Sequence, residues 1–303
     1  HRHSEANRGA YRDHEREVRR NVAWADLIEE NAQTLAYLEA IASSRPAADA
    51  KVGDVLITAE QIRFFAEFAD KEGGNLVPVS DSHFGYIADE PYGVVGAITP
   101  WNFPMSMAGW KFGPALAAGN AVVIKPSEMT PYTTLYMAEL SVKAGIPAGL
   151  VNVVLGDGPV TGTAITGHPG IDKVSFTGST RAGSAIMENI ARTGIKPMTL
   201  ELGGKSPMVV FADADLDLAA ACLDRGIMPN AGQFCVAGSR MIVAREIADE
   251  LASKLAERFK RYRPADTLAE KPGFSPIISE TQLSRIDGIV KASMREGAEL
   301  LCG

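Results

Sequence analysis

Two rhythms of apolar residues divide this chain. Between residues 15 and 42, Val18, Val22, Trp24, Leu27, Ile28, Leu35, Leu38 and Ile41 recur at helical spacing, which predicts one or two amphipathic helices. A further helical run covers residues 55–70. After Tyr92 the pattern changes to short β-prone runs at 94–98, 121–124, 151–154, 173–176 and 198–200. Helical stretches near 107–118, 131–144, 160–167 and 179–191 separate them. Such alternation predicts an α/β fold with right-handed crossovers and a parallel sheet covered on both faces. Ligands on sheets of this kind bind beyond the carboxyl ends of the strands.

A second unit is expected after Gly203, with strands at 208–211 and 241–243 and helices at 216–226, 247–262 and 279–297. The uncharged stretch from Gly93 to Trp110 has the length of a membrane span. Pro100, Asn102 and Pro104 interrupt it, so a strand followed by an irregular loop fits better than a spanning helix. The N-terminus is polar, and no signal peptide is visible. His1, His3 and His14 lie there, with no cysteine or carboxylate cluster to complete a metal site.

Composition narrows the function classes. The 303 residues are 46% hydrophobic and 22% charged, and the net charge of −7 offers no basic face to nucleic acid. Three cysteines, at 222, 235 and 302, are too few and odd in number for a disulfide framework and suit a reducing cytosol. The reading is of a soluble, cytoplasmic protein with no membrane or nucleic-acid partner.

Cys235 is bracketed by Gly232 and Gly238, with Gln233 nearby, which predicts a tight exposed turn. A lone cysteine is most often a small buried hydrophobe. The alternative is a nucleophile that attacks an aldehyde, expels hydride from the thiohemiacetal and leaves a thioester for water to hydrolyse. That chemistry needs an oxyanion stabiliser, a base and a hydride acceptor. Asn102, between prolines in Pro-Trp-Asn-Phe-Pro, is either an oxyanion donor, worth roughly 2.7–4 kcal/mol in comparable sites, or an amide satisfying its own loop. Glu201 ends an apolar run before a glycine pair. It is expected to be partly desolvated, with a pKa raised toward that of a general base, or else paired with Lys205.

For the acceptor, the segment from Gly156 through Gly158 to Gly162 is one residue off the dinucleotide fingerprint. Phe-Thr-Gly-Ser-Thr (176–180) is better placed. Ser179 there is expected to cap a helix whose free N–H groups face a pyrophosphate. Lys125 and Glu128 suit the hydroxyls of an adenosine ribose, or form a solvated surface ion pair.

Taken in order, these motifs resemble the aldehyde dehydrogenase superfamily. The segments that carry the resemblance are Pro-Trp-Asn-Phe-Pro, Gly-Pro-Ala-Leu-Ala-Ala-Gly-Asn, Lys-Pro-Ser-Glu, Phe-Thr-Gly-Ser-Thr, Leu-Glu-Leu-Gly-Gly-Lys and Gly-Gln-Phe-Cys-Val-Ala-Gly-Ser-Arg, between Pro100 and Arg240. The resemblance implies a Rossmann-like parallel-sheet cofactor domain (residues 1–72 and 92–203). It also implies an oligomerisation strand pair (73–91) and part of a second α/β catalytic domain (204–303). It makes Cys235 the nucleophile, Glu201 the base for the deacylating water, and Asn102 with the Cys235 N–H the oxyanion hole. Lys125 and Glu128 become adenine-ribose contacts, Trp101 lies along the cofactor, Gly178 and Ser179 form the pyrophosphate loop, and Gly158 lines the adenine side. Thr99, Pro100, Ser127, Phe176, Thr177, Leu202 and Gly203 complete the implied cofactor site. Phe103, Met107, Trp110 and Phe234 line the implied aldehyde tunnel, and no metal is implied.

Glu201 favours hydrolysis to a free acid over transfer to coenzyme A. Glu128 favours NAD, although family members with the same motif use NADP. A homodimer or homotetramer is implied. The family's Glu-x-Phe-Gly-Pro motif and C-terminal oligomerisation strand lie beyond Gly303, so the expectation is a chain truncated relative to the family. The alternative reading is a non-catalytic member that binds nucleotide or a partner chain.

Overall fold

Five runs of β-branched and aliphatic residues pair in parallel and form the central sheet of this computed structural model, which describes residues 14–71, 73–269 and 274–303. Helices α1 (His14–Glu30), α2 (Ala32–Ala42) and α3 (Leu56–Phe68) come first, as the helical spacing predicts. Single turns at Ala47–Ala50 and Lys51–Val55 join α2 to α3. An antiparallel hairpin of β1 (Asn75–Ser80) and β2 (His83–Ile87) follows. The sheet itself contains β3 (Val94–Ile98), β4 (Ala121–Lys125), β5 (Val151–Val153), β6 (Lys173–Thr177) and β7 (Met198–Glu201), in the order β5-β4-β3-β6-β7. The crossovers are α4 (Pro104–Ala117), α5 (Tyr132–Lys143), α6 (Thr163–Gly167) and α7 (Thr180–Thr193). The chain winds outward from β3 to β5, then returns to the other side of β3 through β6. The carboxyl ends of β3 and β6 therefore flank the topological switch point.

Each face of the sheet has its own core. On one side Trp24, Ile28, Leu35, Ile62, Met105, Phe112, Leu116 and Met137 are all fully buried, and the Trp24 indole donates to Met137 O at 2.9 Å. On the other side Ile165, Ile171, Ile186 and Ile190 pack on Val174 and Phe176. Gly109 and Gly113 occupy one face of α4 and let α3 approach closely. A Cβ at 109 would stand 3.0 Å from Thr58 Cγ2, and one at 113 would stand 2.9 Å from Phe65 Cδ2.

A second unit pairs β8 (Pro207–Val210) in parallel with β9 (Arg240–Val243) and packs α8 (Leu216–Ile227) and α9 (Ala248–Phe259) around Val210, Leu223, Leu251 and Leu255. Helix α10 (Glu280–Arg295) follows. No helix among the described residues is long and apolar enough to cross a membrane. The sequence expectation about the terminal histidines falls on His1, His3 and the side chain of His14, which lie outside the described residues.

Candidate active site

The motif loops emerge from the carboxyl ends of the strands. Thr99–Phe103 leaves β3, Lys125–Glu128 closes β4, Gly178 and Ser179 follow β6, and Glu201 ends β7. Pro104 takes the first position of α4, where its fixed φ is favourable and no N–H is missed. The helix therefore starts three residues before the expected 107, and the irregular loop shrinks to 99–103.

The loop carrying Cys235 enters between α8 and β9. Asn230, Ala231 and Gly232 all have left-handed backbones, with φ of 49°, 54° and 74°. For an L-residue that conformation costs roughly 1–2 kcal/mol, so surrounding contacts must hold it. Gln233, only 8% exposed, supplies them: its amide donates to Asn230 O at 2.9 Å, Pro276 O at 3.1 Å and Ser44 Oγ at 3.3 Å. Its Oε1 accepts from Ile278 N at 3.0 Å. Cys235 is exposed on the resulting turn, and Cys222, Cys235 and Cys302 are all free thiols.

Asn102 sits against this loop, far from it in sequence. Its side-chain Nδ2 donates to Gln233 O at 2.9 Å, and its backbone carbonyl accepts from Asn230 Nδ2 at 3.1 Å. The amide thus spends one N–H on a different loop, not on its own, and retains a second donor. Among the described residues the Cys235 N–H has no acceptor. The Glu201 loop adjoins as well. A Cβ built on Gly204 would lie 3.7 Å from Cys235 O, and Gly178 N donates to Glu201 O at 2.9 Å.

Glu201 departs from expectation. Its side chain is exposed, because β7 ends at the sheet edge and the following 203–205 stretch leaves it open, so the predicted desolvation is not present in this chain. Among the described residues it forms no ion pair with Lys205. Its electrostatic neighbour is instead Lys111, which sequence reasoning missed. Lys111 is 8% exposed on α4; burial brings its pKa down to about 8, while Glu201 pulls it up and Lys173 pushes it further down. The available signal was position: Lys111 is the first charge after the uncharged stretch and lies within an otherwise uncharged helix.

Lys125 is not a solvated surface cation. It is 2% exposed and donates to Pro126 O and Gly156 O, both at 2.8 Å, with Glu128 at 3.4 Å reaching outward. Ser127 is buried beside it, and Thr99 N donates to Lys125 O at 3.1 Å. Thr99 Oγ1 is buried with no partner among the described residues. Ser179 caps α7, accepting from Ala182 N at 3.2 Å, as expected. Phe176 and Thr177 are buried, Leu202 is half-buried against Gly183 of α7, and Gly203 is exposed. Gly158 opens a wide turn (Gly158–Gly162) with nothing within 4 Å of a built Cβ. Pro100, Trp101, Phe103, Met107 and Phe234 are half-buried and Trp110 is exposed; the Phe103 and Phe234 rings meet edge-on at 6.4 Å. Among the described residues no three His, Cys, Asp or Glu side chains are grouped to hold a metal ion.

Comparison with known proteins identifies the family. The profile of the aldehyde dehydrogenase family matches residues 5–303. An aldehyde dehydrogenase of Enchytraeus buchholzi is 44% identical over 295 residues, covering 97% of this chain and 59% of the relative. Aldehyde dehydrogenase 1A1 of Gallus gallus is 46% identical over 279 residues, 92% of this chain and 55% of the relative. The NAD+ complex of an aldehyde dehydrogenase from Bacillus cereus superposes with a TM-score of 0.94 at 40% identity, over 97% of this chain and 60% of that one. The chain thus spans between half and two thirds of the length of these relatives.

Proposed function

The chain belongs to the aldehyde dehydrogenase family, and from that premise we propose that the whole protein oxidises an aldehyde to a carboxylic acid with NAD as acceptor. The observation that carries the reading is the lock between the Asn102 amide and the Cys235 loop, at the carboxyl ends of a parallel sheet. The Cys235 thiolate attacks the carbonyl carbon; a C–S bond forms as the π pair moves onto oxygen. The second Asn102 N–H and the Cys235 N–H hold that oxyanion. Bound NAD supplies a two-electron acceptor for the hydride that leaves as the carbonyl re-forms. Glu201 then takes a proton from water, whose oxygen attacks the thioester; the C–S bond breaks and the acid departs. Exposure of Glu201 gives that water a path.

The residues present fit NAD. Thr99 Oγ1 is an orphaned buried hydroxyl beside the crevice, and the first turn of α7 presents N–H groups suited to a pyrophosphate. Lys125 and Glu128 would hold the adenine ribose, with Ser127, Phe176, Thr177, Gly178, Ser179, Leu202, Gly203 and Gly158 along the cofactor and Thr99, Pro100 and Trp101 at the nicotinamide side. Glu128 disfavours a 2′-phosphate, so NADP ranks second. Phe103, Met107, Trp110 and Phe234 line an apolar approach for the aldehyde. The Bacillus cereus relative solved with NAD+ supports this choice. The domain division is 1–72 with 92–203, then 204–303. The intervening hairpin, with Leu76, Phe84 and Tyr86 at least 73% exposed, is an assembly surface for a homodimer or homotetramer. Three free thiols fit the cytoplasm.

Glu201→Gln tests the reading. With aldehyde and NAD it is expected to accumulate an acyl adduct on Cys235, seen by peptide mass spectrometry, while NADH formation stops after one equivalent. No adduct on Cys235 overturns the proposal.

A further inference from the structure

The segment that follows α2 reaches both halves of the candidate site. Ser44 Oγ accepts from Gln233 Nε2 at 3.3 Å, on the nucleophile loop. Next to it the Arg45 guanidinium carbon lies 5.0 Å from the centre of the Phe103 ring, on the Asn102 loop. Arg45 is only 9% exposed, and its Nε bonds Asp54 Oδ2 at 2.9 Å, with Asp54 3% exposed. The Phe103 ring then meets Phe234 at an interplanar angle of 88°. Phe103 follows Asn102 in the chain, and Phe234 precedes Cys235. At the end of α2, Glu39 accepts from Met105 N at 3.3 Å, so the same segment also holds the first turn of α4. The run of contacts from Asp54 through Arg45, Phe103 and Phe234 ends one residue from the amide and one residue from the thiol.

We propose that Arg45, oriented by Asp54, is a positioning residue: it presses Phe103 against Phe234 and thereby sets the Asn102 amide relative to Cys235. This rests on the dehydrogenase reading given above for its effect on turnover. The physical basis is a planar cation with one fixed partner, stacked on an aromatic face in a site screened from water. The Ala231 and Gly232 backbones supply the need, since a left-handed loop relaxes when its restraints are removed. A buried ion pair that merely joins α2 to the turn before α3 would leave the loops unaffected.

The test compares the full chain with Arg45→Met/Asp54→Asn, which removes both charges and strands neither, and with Arg45→Lys, which keeps the charge but loses the planar stack. Hydrogen exchange over 230–238 is read alongside kcat and KM for an aldehyde. The double variant is expected to exchange about fivefold faster in that loop, with α9 unchanged. Its kcat falls about tenfold or more while KM stays within about twofold, as small misplacements of reacting groups produce. Arg45→Lys falls between the two. Unchanged loop exchange in a folded double variant overturns the proposal, and so does an exchange increase spread evenly along the chain. If the double variant does not fold, Phe103→Leu keeps the ion pair intact and must loosen the same loop; a rigid loop there overturns the proposal equally. A whole protein with no aldehyde-dependent NADH would refute the dehydrogenase reading, while the exchange data would still decide the link between Arg45 and the loop.

Discussion

Gln233→Leu isolates what holds the nucleophile loop. Leucine keeps most of the side-chain volume, so packing changes little and the loss is one of hydrogen bonds. Four disappear: the three donated by Nε2 and the one accepted by Oε1. Asn230 O keeps a partner, because Gln233 N also donates to it at 3.0 Å. Ser44 Oγ reorients at little cost. Pro276 O and Ile278 N are left without their bonds in a half-buried setting, at about 1–2 kcal/mol each once partial hydration is allowed. The expected loss is therefore about 2–4 kcal/mol, read as a lower urea midpoint with an unchanged m value. Aldehyde turnover should fall further than stability does, because the Asn102 amide is anchored on Gln233 O and moves with it. A loss under about 0.5 kcal/mol would refute the reasoning, since it would mean these bonds are replaced by water at no cost.

Three further substitutions have defined outcomes. Ala231→Gly relieves a left-handed alanine, and after the added unfolded-state entropy it should stabilise the chain by roughly 0.5–1 kcal/mol in thermal or urea unfolding. Glu39 is fully buried, and burial first, then the neighbouring Asp54, pushes its pKa up to about 8. The folded state therefore binds the proton more tightly than the unfolded one, so this contribution is complete below about pH 4.5 and is lost as pH rises to about 8. Glu39→Gln should flatten that decline, worth on the order of 5 kcal/mol, in urea midpoints measured across this range; an equally steep decline in the variant would contradict it. Lys111 has the opposite sign: burial lowers its pKa to about 8, so stability rises with pH between about 8 and the unfolded value of 10.5. Lys111→Met should stabilise the chain at neutral pH and remove a step near pH 8 from the turnover profile.

The sheet was legible because its central strands β3 and β4 read as unbroken apolar runs and the others as short β-prone runs, and all five expected strands pair in it. Their ends were not. Lys125, Thr177 and Glu201 extend the ladders by one polar residue, since strand pairing follows backbone hydrogen bonds and not side-chain character. Pro104 read as a breaker because its ring disrupts helix interiors, whereas at the first position it starts one. The motif residues were legible as motifs, and the cap at Ser179 followed from local chemistry alone. Burial at the site was not. Glu201 is open and Lys125 enclosed because of chain segments distant in sequence, among them the Gly156 carbonyl that receives the Lys125 ammonium. Gln233, Asn230 and Arg45 act through partners that no spacing rule connects.

The most direct test is NADH absorbance with an aldehyde, comparing the whole protein and its Cys235→Ala variant at equal NAD occupancy. Aldehyde-dependent NADH is expected from the whole protein and none from its variant, with NAD affinity retained. Undiminished NADH formation in Cys235→Ala would contradict it, because no other described cysteine adjoins Asn102 and the Glu201 loop.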